Sequence, residues 1–278
     1  MRKTGKVRLG DIGGHLYLIL LCVFSVFPLV WLVLSAFKSG NEMLANPTAF
    51  FPKEWTLDNF RRVLITLQFM TNIQNSVLIS LATTIIATAI SSLAAYGIVR
   101  FFPRLGDAMT KLLITTYMFP SIMLVIPYAV VMGKLGLTNT RIGLVLVYLS
   151  FSVPYAVWLL VGFFKTVPIG IEEAARIDGA NKFQVFSIVV LPLIAPGIVA
   201  TAIYMFINAW NEFLYALILM SSSSKMTISV ALKSLEGSDI LDWGALMAAC
   251  AVVVIPSILF FCFIQQRITG GLSEGAVK

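Results

Sequence analysis

Six long runs in this chain are almost free of charge, and that pattern restricts the available folds more than any motif does. They are residues 16–37, 75–99, 112–132, 142–164, 192–220 and 243–265. A helix crosses the hydrocarbon core of a bilayer with about 20 apolar residues, and only helices and closed barrels satisfy every backbone polar group there. Charged residues are 12% of the 278 and mean hydropathy is +0.92, whereas a soluble domain carries about 25% charge. The reading is an all-α integral membrane protein, one transmembrane domain over residues 1–278 with six spanning helices.

The remaining charge sets an orientation. Six crossings leave both termini on one side. The N-terminal segment, residues 100–111, residues 165–190 and the C-terminal tail hold twelve of the twenty Lys and Arg; the opposite loops hold eight. Lys and Arg accumulate on the cytoplasmic face, so both ends are expected in the cytoplasm, with net +6 inside, +2 outside and −1 at Glu212 within a span. The overall +7 does not imply nucleic acid, because no basic run exceeds two residues. Run 16–37 is too long for the apolar part of a signal peptide and no small-x-small site closes it, so it is read as a retained first helix.

Metal and thiol chemistry find little support. Cys22, Cys250 and Cys262 all lie in apolar stretches without CxxC spacing, and the single histidine, His15, is read as a headgroup-region residue. Pro28, Pro120, Pro127, Pro154, Pro192, Pro196 and Pro256 fall in or beside the spans, where each removes a hydrogen bond and favours a kink, although membrane helices also tolerate proline. Ala82, Ala87, Ser91, Ala94 and Ala95 form a small-residue stripe for close helix packing.

Residues 165–190 are polar enough to lie outside the membrane. Pro168 can open a short helix, Glu172 and Glu173 sit near its positive end, Arg176 follows Glu173 by three, and Gly179 suits its stop. Ala174 and Ala175 give it a low profile between charged posts. Phe183, Phe186 and Ile188 then form an apolar stripe leading to Leu191-Pro192. On physics alone this is either an interfacial amphipathic helix or a docking helix.

Glu173-Ala174-Ala175, Gly179 and Leu191-Pro192 at their spacing resemble the EAA loop of ABC importer permeases, and Asp178-Gly179-Ala180 with Phe183 and Phe186 resembles the carbohydrate-uptake, maltose-type branch. Val189 stands where that family usually has Ile. Phe37-Lys38 with Trp55-Thr-Leu-Asp-Asn-Phe60, Asn75-Ser76, Trp210-Asn211-Glu212-Phe213 and the tail from Gly271 extend the resemblance along the chain; Ser273-Glu274 replaces a Thr-Ala-like pair.

That resemblance implies a permease subunit of an ATP-driven importer for a di- or oligosaccharide or related carbohydrate, in a bacterial inner membrane. Its partners would be a second, homologous permease, two ATPases and an extracytoplasmic sugar-binding protein. Glu172, Glu173, Ala174, Ala175, Asp178 and Gly179 would couple to the ATPases, and Gly271, Leu272 and Gly275 would carry the tail toward them. No cofactor or metal is expected on this chain. It lacks G-x-x-x-x-G-K-[ST], so ATP and Mg would be used by the partners.

Glu212 is the one acid inside a span, which makes it a functional candidate by default. Asn208, Trp210 and Asn211 beside it suit a hydroxyl-rich, ring-shaped ligand; the alternative is that Glu212 snorkels to the interface or caps a neighbouring helix. Tyr117, Tyr128, Tyr148 and Tyr155 are read mostly as packing or belt aromatics. The competing function is an ATP-independent secondary transporter or channel, which would ordinarily show paired ionisable residues near the midplane. A membrane enzyme would need a His, Cys or carboxylate cluster that this sequence lacks.

Overall fold

Proline decides which of the apolar runs remain whole. The structure is a computed structural model and describes residues 9–235, 242–255 and 257–258. Its main helices are α1 (Leu9–Ser35), α2 (Phe69–Phe101), α3 (Gly106–Tyr117), α4 (Ser121–Lys134), α5 (Arg141–Thr166), α6 (Ile169–Ile177), α7 (Ala195–Asn211), α8 (Leu214–Leu219) and α9 (Trp243–Ile255). No strand occurs among the described residues. Three helices, residues Gly13–Ser35 of α1 and the whole of α2 and α5, are long and apolar enough to cross a membrane; two bent pairs raise the number to five.

One bent pair interrupts an expected continuous span, and the other lies where the polar segment 165–190 enters one. Run 112–132 is split into α3 and α4, which meet at 88°. Pro120 stands at the start of α4 and offers no N–H to the carbonyl of Thr116, which weakens the helical ladder at the bend. At the start of run 192–220, the segment Lys182–Leu193 meets α7 at 79°. Pro192 and Pro196, on either side of the bend, each lack an N–H, and residues Val185–Val190 widen into a π turn ahead of them. The same run breaks again at Glu212, whose backbone is extended between α7 and α8. Pro28, Pro127 and Pro154 lie within helices that continue past them, while Pro256 lies outside the described residues. Run 243–265 is described as helix from Trp243 to Ile255.

The described residues fall into two compact units: those of Met1–Gln68 with Ser234–Ile255, and those of Phe69–Lys233 with Pro256–Lys278. In the first, α1 is apolar around its circumference and largely exposed along residues 13–30, as a lipid-facing helix is. The segment after α1 folds back on its end. Thr56 N–H donates to the Phe37 carbonyl at 2.9 Å, Phe37 packs between Trp55 and Phe60 at 5.5 and 4.9 Å, and Asn59 Nδ2 donates to the carbonyls of Ala36 and Lys38 at 2.9 and 2.7 Å. Lys38 is fully buried; its Nζ donates to Pro47 O at 3.2 Å and Ala49 O at 2.5 Å and lies 5.7 Å from the Trp31 ring. Asp242 caps α9 by accepting from Ala245 N–H at 3.0 Å.

In the second unit, α2 packs on α5 and α7. Its buried face runs through Asn72, Ser76, Ser80, Thr83, Ala87, Ser91 and Ala95, steps of three or four that keep small side chains on one side of a helix. Ala87 meets Ala156 of α5 and Met205 of α7 in a fully buried cluster. Residues from the three loops 38–72, 133–141 and 221–242, placed by charge on one side, also converge: Asn139 Oδ1 accepts from the Ser221 and Ser222 N–H groups at 3.2 and 3.1 Å, and Asn72 Nδ2 donates to Ser223 O and Met226 O at 2.9 and 3.1 Å.

Close approach makes Gly197 of α7 a sensitive position, since a Cβ there would overlap the Phe163 ring of α5. Overpacking of this kind costs about 1–3 kcal/mol. Gly197→Val is expected to lower the thermal midpoint of the detergent-purified chain, whereas Gly162→Ala, at an open helical position, leaves it unchanged or slightly raised.

Candidate functional site

The helix α6 is short, but both its ends are specified. Pro168 precedes it in extended conformation, one position earlier than an N-terminal helical proline. At the other end Asp178 is the cap and Gly179 has φ +90°. The Gly179 N–H bonds to Arg176 O at 3.1 Å and the Ala180 N–H to Ala175 O at 3.0 Å, the paired bonds of a Schellman stop, which favours glycine in the left-handed position. Asn181 and Gln184 then form a reciprocal capping box, with bonds of 2.8 and 2.9 Å, that starts the return segment.

Glu172 and Glu173 have opposite fates. Glu172, expected with Glu173 among the coupling residues, is 1% exposed and turned into the chain rather than outward. Its Oε1 accepts from Arg100 Nε at 2.5 Å and its Oε2 from the Tyr96 hydroxyl at 2.8 Å. Arg176 lies 3.8 Å from the same carboxylate, so its partner is Glu172 at i−4 rather than Glu173 at i−3. Arg100 reaches further: Nη2 donates to Phe164 O at 3.4 Å and Val167 O at 2.8 Å, closing the carbonyl end of α5. One guanidinium thus joins the ends of α2 and α5 to α6. Beneath it, the Tyr96 ring packs against Phe164 and Phe186 at 5.6 and 5.1 Å.

Beyond this anchor, Glu173, Ala174, Ile177, Asp178 and Gly179 are exposed and Ala175 half-buried, and Arg176 is exposed at its edge. Ile177 is 87% exposed, unusual for a large apolar side chain on a short polar helix. The expected stripe divides: Phe186 is buried, whereas Phe183 and Ile188 are exposed. The tail residues Gly271, Leu272 and Gly275 lie outside the described residues.

The second candidate site is a cavity of about 710 Å³ walled by α3, α4, α5, α7 and the chain around Glu212. Asn208, Asn211 and Glu212 all line it. Trp210 does not: it is buried on another face of α7, stacked against Phe206 at 6.0 Å. The aromatic wall comes instead from residues such as Tyr117, Tyr128, Phe151 and Tyr215. Phe151 and Tyr215 stack at 5.7 Å, and the Tyr128 hydroxyl donates to Ser150 Oγ at 2.6 Å.

Glu212 combines the two roles considered for it. Its Oε1 accepts from the Tyr215 N–H at 2.8 Å, and its Oε2 from the Ala216 N–H at 3.1 Å and the Tyr148 hydroxyl at 2.6 Å. The carboxylate therefore caps α8, supplying acceptors to N–H groups that have no partner within the helix, while its side chain forms part of the cavity wall.

Arg100 and Tyr96 were not singled out for this role by sequence, and Tyr148, read as a packing or belt aromatic, is buried but also bonds Glu212. Tyr96 and Arg100 are four residues apart near the end of an apolar run, a spacing that puts both on one helix face. Nothing local links either to residue 172. Tyr148 carries no local signal at all, because its partner lies 64 positions away.

An all-helical chain with apolar spans, a tethered surface helix and a polar-aromatic cavity has the anatomy of a membrane transport component. Residues 87–273 match the family described as binding-protein-dependent transport system inner membrane component, and the chain belongs to that family. It is 30% identical to the inner membrane ABC transporter permease protein YcjP of Escherichia coli K12, over 99% of each chain. It is 36% identical to the trehalose transport system permease protein SugB of Mycobacterium tuberculosis, over 92% of this chain and 93% of that one. Its fold is also that of a subunit in the crystal structure of a bacterial ABC transporter involved in the import of the acidic polysaccharide alginate, with a TM-score of 0.78 and 21% identity, covering 96% of this chain and 99% of that one. The chain is accordingly a multi-pass inner-membrane transport subunit of an ABC importer, in which ATP hydrolysis resides on separate subunits.

Removing one partner of a buried ion pair costs about 3–5 kcal/mol, whereas an exposed substitution usually stays within about 0.5 kcal/mol. Glu172→Ala is expected to lower the thermal midpoint of the purified chain strongly and Glu173→Ala to leave it nearly unchanged. Gly179→Val, forced to φ > 0, should weaken the Schellman stop and raise amide hydrogen exchange over residues 174–180.

Proposed function

We propose that this chain is one of two permease subunits of an ATP-driven sugar importer, with α6 as the helix through which ATPase subunits drive it. The observation that carries this reading is the division of labour between adjacent glutamates: Glu173 is exposed on a low-profile surface, while Glu172 is buried against Arg100. A helix that only rested on headgroups would need no such tether. A force on α6 passes through the Glu172–Arg100 pair to the ends of α2 and α5.

Within this reading Glu173 makes a charge-assisted contact in the ATPase cleft, Ala174 and Ala175 permit close approach, and Asp178-Gly179 turns the chain away. The chain crosses the membrane six times with both ends in the cytoplasm, as one permease domain whose tail around Gly271, Leu272 and Gly275 extends toward the ATPases. These partners use ATP and Mg. A binding protein delivers the sugar to a pathway shared with the second permease, and the cavity at Asn208, Asn211 and Glu212 is this chain's part of it. The trehalose permease relative supports a saccharide as cargo. So does the wall itself, since aromatic faces accept the C–H faces of sugar rings while amides and hydroxyls pair with sugar hydroxyls. A volume of about 710 Å³ lies within the range of roughly 300–1,000 Å³ typical of small-ligand sites.

Glu173→Lys in the complete complex, reconstituted in vesicles with its binding protein, is expected to reduce ATP-driven sugar uptake at least ten-fold while the chain keeps its thermal midpoint. Undiminished uptake would exclude the coupling role of this helix.

A further inference from the structure

We infer that the Glu212 cavity selects uncharged saccharides and rejects those bearing carboxylate or sulfonate groups; the inference rests on the sugar reading above and narrows it. Three observations converge on this selectivity. No Lys, Arg or His is among the described residues that line the cavity, so an anionic substituent would find neither a guanidinium fork nor an ammonium. The polar lining otherwise consists of neutral hydroxyls and amides, including Thr116, Ser121, Ser150, Asn208 and Asn211, groups that exchange hydrogen bonds with sugar hydroxyls in either direction. Among the described lining residues the one formal charge is Glu212, an acid.

The bonding of Glu212 strengthens the argument. Both its oxygens are engaged, by the N–H groups of Tyr215 and Ala216 and by the Tyr148 hydroxyl. The acid is held in the wall by the cap of α8, so it cannot swing aside to admit a second anion without uncapping that helix. A ligand carboxylate entering here would lose its hydration, gain no cation and face a like charge, all unfavourable in a site of reduced dielectric. A neutral disaccharide faces no like charge, and the hydroxyls and amides of the wall replace hydrogen bonds that it gives up to water.

The fold does not impose this preference. The alginate importer shares it at a TM-score of 0.78, and alginate is described there as an acidic polysaccharide; on a shared scaffold, selectivity belongs to the side chains of the site.

The test is ATP-driven uptake by the complete complex in vesicles, comparing neutral disaccharides with the same disaccharides oxidised to uronates at one C6 position. Wild type is expected to import at least one neutral disaccharide and its uronate at least ten-fold more slowly. Asn211→Lys adds a cation at an exposed lining position and is expected to shift the uronate-to-neutral ratio at least five-fold toward the uronate. Asn208→Lys serves as the second variant should the first fail to assemble on size-exclusion chromatography. Comparable import of uronate and neutral sugar by wild type, or a ratio that neither assembled variant moves, would overturn the inference while leaving the sugar importer intact. Import of no saccharide of either kind would remove the sugar reading and this inference with it.

Discussion

The ion pair between Arg100 and Glu172 is the contact on which the architecture around α6 depends. Two charges with side-chain exposures of 10% and 2% carry a desolvation cost that their mutual attraction offsets only when their other hydrogen-bonding positions are also filled. Here they are: Tyr96 donates to the second carboxylate oxygen, and the guanidinium closes carbonyls at the end of α5. A hydrophobic contact of the same area would bind α6 to the helices without fixing its direction. The hydrogen-bonded pair fixes both, as the coupling role proposed for α6 requires.

The chain around Glu212 solves a second problem with one residue. Breaking a spanning helix exposes N–H groups that lipid cannot satisfy. The Glu212 carboxylate accepts two of them, so the break between α7 and α8 stands beside a cavity. This is a form of the general rule that irregular backbone at membrane depth occurs where protein or a cavity surrounds it. The cost is an acid in the wall of a cavity whose other polar lining residues are neutral.

Legibility from sequence varied with the range of the interaction responsible. Apolar runs, the Gly179 stop and the low profile of Ala174 and Ala175 depend on local composition and appear directly in the chain. Proline was legible as a disturbance but not as an outcome: Pro127 and Pro154 sit inside continuing helices, whereas Pro120 and the Pro192/Pro196 pair accompany sharp bends. A lost hydrogen bond at one position does not by itself state whether the neighbouring helices will hold the axis straight. The pairing of Arg176 was drawn to Glu173 because both spacings are allowed on a helix; burial of Glu172 chose between them.

What the sequence determined by itself is the membrane as solvent, the position of the apolar spans along the chain, and a polar loop built to stop and turn at Gly179. These follow from the cost of charge in hydrocarbon and from backbone stereochemistry, both local quantities. Tertiary structure alone decided that Glu172 faces inward and Glu173 outward, that Tyr148 meets Glu212, and that Trp210 leaves the cavity wall to Phe151 and Tyr215. Those outcomes depend on which helix faces come together, and contacts between residues 64 to 76 positions apart have no signature in the spacing of either partner.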